Sequence, residues 1–171
     1  MLTKQTKFII AVTIQVAILF SVIIFKMAIL AGGVEVLLKV EPVDPRDLLR
    51  GDHLTFSYKI STLNSHLFNY SPIREGDTIY VPLKRQGKYW TAVFGIQKTK
   101  PPEGEIFLRG KVSRIYGNKV HIIYGIEDYF IPEGIGRNFT FWRQEVSAKV
   151  SIDKDGKAIL RQIYVNGKPW P

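Results

Sequence analysis

The chain has no cysteine among its 171 residues, only three histidines, and no acidic residue before Glu35. The lack of cysteine excludes thiol nucleophiles, Cys-ligated zinc and structural disulfides, and a sortase-like transpeptidase with them. It says little about redox compartment, because a chain of this length buries enough surface to fold without disulfides. His53, His66 and His121 have no HxxxH-type spacing, so no metal ligand set is expected. Runs of basic residues are missing too. The formal net charge is +9, but Lys4, Lys7 and Lys26 account for three of the 24 cations, leaving 21 against 15 acids, or +6, beyond residue 33. Scattered cations of that modest excess argue against a nucleic-acid surface and fit attraction to an anionic membrane face.

What is present first is a long apolar run. Residues 8–25 carry no charge and continue past Lys26 as Met-Ala-Ile-Leu-Ala-Gly-Gly. A helix needs roughly 20 residues to cross the hydrocarbon core, and Lys26 can snorkel to the headgroups. Lys4 and Lys7 precede the run, which favours a cytoplasmic amino terminus. A cleaved signal peptide is the rival, with Ala28 and Ala31 as small residues, but its apolar region is shorter than this one. Residues 1–33 are therefore expected to be a cytoplasmic stub and single-pass signal-anchor in the cytoplasmic (inner) membrane. Residues 34–171 would form a periplasmic or extracellular domain. Gln15 lies near mid-span, and an amide there gains by pairing with another helix. It is the expected contact with a membrane partner.

Beyond the anchor the pattern is β. Val36, Leu38 and Val40 alternate in a first strand, which Pro42 and Pro45 end. Leu54, Phe56, Tyr58 and Ile60 alternate with polar residues as one further half-buried strand, and residues 61–71 read as a loop. Ile79, Val81 and Leu83 mark another strand after Gly76-Asp77. Gly87, Gly117-Asn118 and Asp153-Lys154-Asp155-Gly156 supply hairpin turns. Phe139 and Trp142 suit one face of a short helix near residues 134–145. The expected fold is mainly β: an amino-terminal transmembrane helix, then one sandwich or barrel-like domain with one short helix.

Two stretches carry a family resemblance. Arg50-Gly51-Asp52-His53-Leu54-Thr55-Phe56-Ser57-Tyr58, preceded by Pro42-Val43-Asp44-Pro45-Arg46-Asp47, resembles the motif of the GDYXXLXY proteins. Tyr124-Gly125-Ile126-Glu127-Asp128-Tyr129-Phe130-Ile131-Pro132-Glu133-Gly134 is similar to that family's second signature. His53 stands where the family has its first Tyr, and Phe56 where it has Leu. The resemblance implies a membrane-anchored bacterial protein, from a family in some cases associated with multi-pass membrane proteins, and brings no known reaction.

Several groups invite chemistry. Arg50-Gly51-Asp52 is formally an adhesion tripeptide, but a Gly-Asp turn opening a strand needs no ligand. Asp44, Asp47 and Asp52 form one carboxylate group, and Glu127, Asp128 and Glu133 a second; paired carboxylates serve hydrolases only at suitable separations. Ser57 and Lys59 share a strand face, the residue types of a Ser–Lys hydrolase. Tyr124, Tyr129, Phe130, Phe139, Phe141 and Trp142 either line a groove beside Glu133 or form core. No catalytic residue, metal ligand, cofactor or small-molecule ligand is assigned. The expected role is a docking or assembly module for a multi-pass membrane protein, presenting Arg46, Arg50, Asp52, His53, Tyr58 and Glu133. A membrane-tethered hydrolase of envelope material is the alternative.

Overall fold

An apolar run without Pro or Gly can satisfy its backbone polar groups only within itself, as a helix. In the computed structural model, which describes residues 3–41, 53–69, 72–99, 101–130 and 144–170, α1 covers Lys4–Gly32. Its segment Lys4–Met27 is long and apolar enough to cross a membrane, about 36 Å at 1.5 Å per residue. The apolar side chains of this segment point outward on all sides, with Phe8 70% and Leu19 62% exposed. No stripe of it is covered by the rest of the chain. Two of its polar groups are satisfied within the helix: the Thr13 hydroxyl donates to the Ile9 carbonyl at 2.9 Å, and Ser21 to Ala17 at 2.8 Å.

Among the described residues twelve strands follow: β1 (Val34–Glu41), β2 (His53–Thr55), β3 (Ser57–Tyr58), β4 (Thr62–Asn64), β5 (Thr78–Gln86), β6 (Tyr89–Ala92), β7 (Ile106–Tyr116), β8 (Lys119–Ile123), β9 (Asp128–Phe130), β10 (Val146–Ile152), β11 (Ala158–Val165) and β12 (Lys168–Trp170). They form a five-stranded sheet in the order β12-β11-β10-β1-β3, a second in the order β4-β8-β7-β5-β6, and a two-stranded ribbon of β2 and β9. All these strand pairs are antiparallel. The mainly β architecture expected from the alternation is the one found.

Side chains alternate across a pleated strand, so one face of each sheet can be apolar throughout. Val36, Leu38 and Val40 of β1 pack with Val146, Ala148, Val150 and Ile152 of β10 from one side. Ile79, Val81 and Leu83 of β5 join Leu108, Val112, Val120 and Ile122 from the other. A buried aliphatic side chain contributes roughly 1.5–3 kcal/mol, so this shared core holds the two sheets together. Two seams close them. At one, Ile122 N–H donates to the Ser61 carbonyl at 2.8 Å; at the other, Arg109 N–H donates to Gly156 O at 2.8 Å. Gly156 has φ 77°, and a Cβ there would stand 2.6 Å from the Phe107 ring and 2.9 Å from Arg109 N. Only glycine lets the β10–β11 turn approach that closely.

Three expectations change. The strand foreseen across residues 53–60 breaks at Phe56: β2 pairs with β9, while β3 pairs with β1. The two halves belong to different sheets, which period-two alternation cannot reveal. Residues 61–71 are not all loop, since β4 pairs with β8 and a 3₁₀ turn follows at Ser65–Leu67. Strand β12, absent from the sequence reading, closes the edge through Asn166, which takes φ 51° in the turn. The short helix foreseen near residues 134–145 falls mainly on 131–143, outside the described residues.

Candidate functional site

The two signature stretches meet. β2 and β9 pair in the register His53↔Phe130, Leu54↔Tyr129 and Thr55↔Asp128. The Thr55 hydroxyl donates to Asp128 Oδ1 at 3.0 Å, and Phe56 N–H donates to the Glu127 carbonyl at 2.7 Å. Below this ribbon two tyrosines cross. Tyr58 donates its hydroxyl to Ile126 O at 2.5 Å, and Tyr124 donates to Ile60 O at 2.7 Å. Burial, with the Glu127 carboxylate next in effect, pushes both phenols well above their ordinary range, so they remain neutral donors.

Glu127 turns the chain between β8 and β9. Its Oε1 accepts Tyr124 N–H at 2.6 Å and its Oε2 accepts Gly125 N–H at 2.8 Å. Gly125 takes φ 80°, the left-handed geometry this tight turn requires. The carboxylate is thus bound to the main chain by both oxygens. Such an arrangement suits a structural acceptor better than a general acid or base.

Beside the crossing lies a cleft of about 470 Å³, lined by Thr55, Phe56, Ser57, Ser61, His121, Ile122, Ile123, Glu127 and Asp128. His121 is placed by β8, with Nδ1 3.2 Å from the Thr62 hydroxyl across the β4–β8 pair. Ser61 Oγ accepts Tyr58 N–H at 3.0 Å. The cleft offers an apolar floor with hydroxyl, imidazole and carboxylate groups around it, the composition of a modest binding surface. Lys59 is not among its lining residues, so Ser57 does not share the cleft with the base a Ser–Lys hydrolase requires. Among the described residues no three His, Asp or Glu side chains converge as a metal site.

The family described as GDYXXLXY protein matches residues 15–163. The chain belongs to the GDYXXLXY family. No curated protein and no solved structure matches it. In this GDYXXLXY protein the motif's last residue is Tyr58, fully buried at the crossing, and Phe56 fills the apolar Leu position, also buried. Phe56 packs on Tyr129 of β9, ring centroids 6.3 Å apart, and Tyr129 continues to Trp170 at 6.4 Å. Both signatures are parts of one structural joint in this family member.

Of the residues expected at a docking surface, Arg46, Arg50, Asp52 and Glu133 lie outside the described residues, as do Asp44 and Asp47. His53 takes part as backbone of β2, and its side chain lies outside the described residues. Tyr58 is not a surface group: its side chain is 0% exposed and its hydroxyl is committed to Ile126. Tyr124 and Tyr129 pack with the core, whereas Phe139, Phe141 and Trp142 lie outside the described residues. The other Gly-Asp pair is a structural turn. Asp77 Oδ2 accepts Arg74 N–H at 2.8 Å and pairs with Lys98 Nζ at 2.9 Å, beside Gly76 at φ 89°. His121 is a cleft residue that the spacing of the histidines along the chain does not reveal. The available signal was its place between Val120 and Ile122, which turns it to the outer face of β8.

Proposed function

We propose that this GDYXXLXY protein is a single-pass membrane protein with its amino terminus in the cytoplasm. Its β domain, outside the cytoplasmic membrane, serves as a binding and assembly module for a multi-pass membrane protein. One observation carries the reading. In a helix apolar on every face, Thr13 and Ser21 bond back to their own backbone, while Gln15 is exposed with no hydrogen-bond partner for its amide among the described residues. In hydrocarbon such an amide gains about 1 kcal/mol by bonding to a second helix, a bias that favours lateral association. Lys4 and Lys7 ahead of the span support the amino-terminus-in orientation, because a long following domain translocates largely regardless of its charge. The cleft beside Tyr58 and Tyr124 supplies a second contact surface, with Ser57 and His121 as its adaptable polar groups. The hydrolase alternative has less support, since both oxygens of Glu127 are taken by main-chain amides.

The test is a photo-crosslinking residue at position 18 of the full-length protein in native membranes, with and without Gln15→Leu. A discrete adduct to a multi-pass protein that weakens several-fold in Gln15→Leu is the expected result. Lipid adducts alone in both forms would overturn the docking reading.

A further inference from the structure

A second cleft lies where α1 meets the β domain. It measures about 540 Å³, and its lining includes Phe25 and Lys26 from the end of the span, Arg109 and Lys111 from β7, and Lys157 from the β10–β11 turn. Four cations therefore face one concavity, and no carboxylate is among its lining residues. What sets these four apart is that they line one concavity without a carboxylate, whereas four other cations of the domain are held in ion pairs. Lys88 pairs with Glu145, Lys98 with Asp77, and both Lys149 and Arg161 with Glu35. Lys26, Arg109, Lys111 and Lys157 have no acidic partner among the described residues.

The depth of the cleft is set by the helix. The span reaches Met27, so Phe25 and Lys26 stand where hydrocarbon gives way to headgroups. Lys157 Nζ lies 4.7 Å from the centroid of the Phe25 ring, a cation–π contact that ties the β10–β11 turn to the helix at that level. Ile123 and Ile159 add apolar lining to the same concavity. A lining that combines four cations with aromatic and aliphatic side chains suits a molecule with a phosphate at one end and acyl chains at the other.

We propose that this cleft binds the headgroup phosphate of an anionic phospholipid from the bilayer that α1 crosses. Arg109 and Lys111 would clamp the phosphate, with Lys26 and Lys157 adding charge from the helix side. The proposal rests on the membrane-anchor reading. Clustered juxtamembrane cations attract anionic lipid by an amount that corresponds to about fivefold in affinity for each. A guanidinium adds two-point hydrogen bonding to phosphate oxygens.

The test uses full-length protein in nanodiscs of phosphatidylcholine, alone or mixed with phosphatidylglycerol, with retained lipids counted by native mass spectrometry. The wild type should retain phosphatidylglycerol preferentially, and Arg109→Gln/Lys111→Gln should lower that preference about 25-fold, or fivefold per cation. Lys84→Gln/Lys119→Gln makes the same charge change at two exposed positions outside this cleft and should leave it unchanged. Equal loss in both double variants would mean that net charge alone acts, and would overturn the site. So would displacement of the lipid by inorganic phosphate, which would mark a plain anion pocket. Carbonate extraction separates the two readings. Release of the protein from membranes would overturn the anchor and this proposal together; a protein that stays in the bilayer with no anionic preference would overturn the headgroup site alone.

Discussion

Tyr58 and Tyr124 brace each other's turns: each buried phenol donates to a main-chain carbonyl beside the other, Tyr58 to Ile126 and Tyr124 to Ile60. A phenol is well suited to this work, because its ring fills the core while its hydroxyl reaches a distant acceptor. The reciprocal arrangement joins the β3–β4 turn to the β8–β9 turn, and so ties the two halves of the fold at the candidate cleft.

Tyr58→Phe and Tyr124→Phe should each destabilise the domain by about 1–3 kcal/mol, since each leaves a buried carbonyl without its donor. Thermal melts followed by circular dichroism would read the loss. The double variant should depart from additivity, because the two bonds share one joint. Strict additivity would mean that the two bonds act separately.

The same phenols set an alkaline limit. Burial raises both above the ordinary tyrosine range, near 10. The unfolded chain therefore ionises first, and the stability of the neutral phenols, complete below about pH 10, is lost as pH rises further. Chemical denaturation across the alkaline range should show a steep fall, shallower in Tyr58→Phe.

Gly156→Ala should cost about 3 kcal/mol, combining a left-handed backbone with a clash on the Phe107 ring and the Arg109 nitrogen. Gly87→Ala is the control. Its φ is 65° but nothing lies within 4 Å of the added carbon, so only the backbone cost of about 1 kcal/mol applies. Equal melting temperatures for the two would remove the β7 seam from the account.

Glu127→Ala should lose about 2 kcal/mol by releasing the Tyr124 and Gly125 amides together. Glu127→Gln keeps one carbonyl acceptor and should recover part of that loss in urea unfolding. A glutamine variant as damaged as the alanine one would show that the charge, rather than the pair of bonds, matters.

Asp77 gives the acid side. The hydrogen bond from Lys98, then that from Arg74 N–H, hold its carboxyl below the ordinary aspartate range. Its contribution is present above that range and lost as pH falls through the lowered value. Asp77→Asn should therefore be less stable than wild type at neutral pH and converge with it in acid. A stability gap constant with pH would show that the charge of Asp77 plays no part.

By itself the sequence determined the apolar helix, the mainly β character and the turns at Gly87, Gly117 and Gly156. These follow from run length, period-two alternation and the backbone freedom of single residues, all properties of neighbours along the chain. It also carried the family, in residues 50–58 and 124–134. Tertiary structure alone decided that the two signatures touch, because that contact spans more than sixty residues and is fixed by pairing and burial rather than by local preference. It split the alternating run at Phe56 between two sheets and turned Tyr58 inward. It also gathered Lys26, Arg109, Lys111 and Lys157, scattered along the chain, around one cleft at the end of the apolar segment of α1. Charges so far apart in sequence acquire a common field only when the fold brings their side chains to one surface.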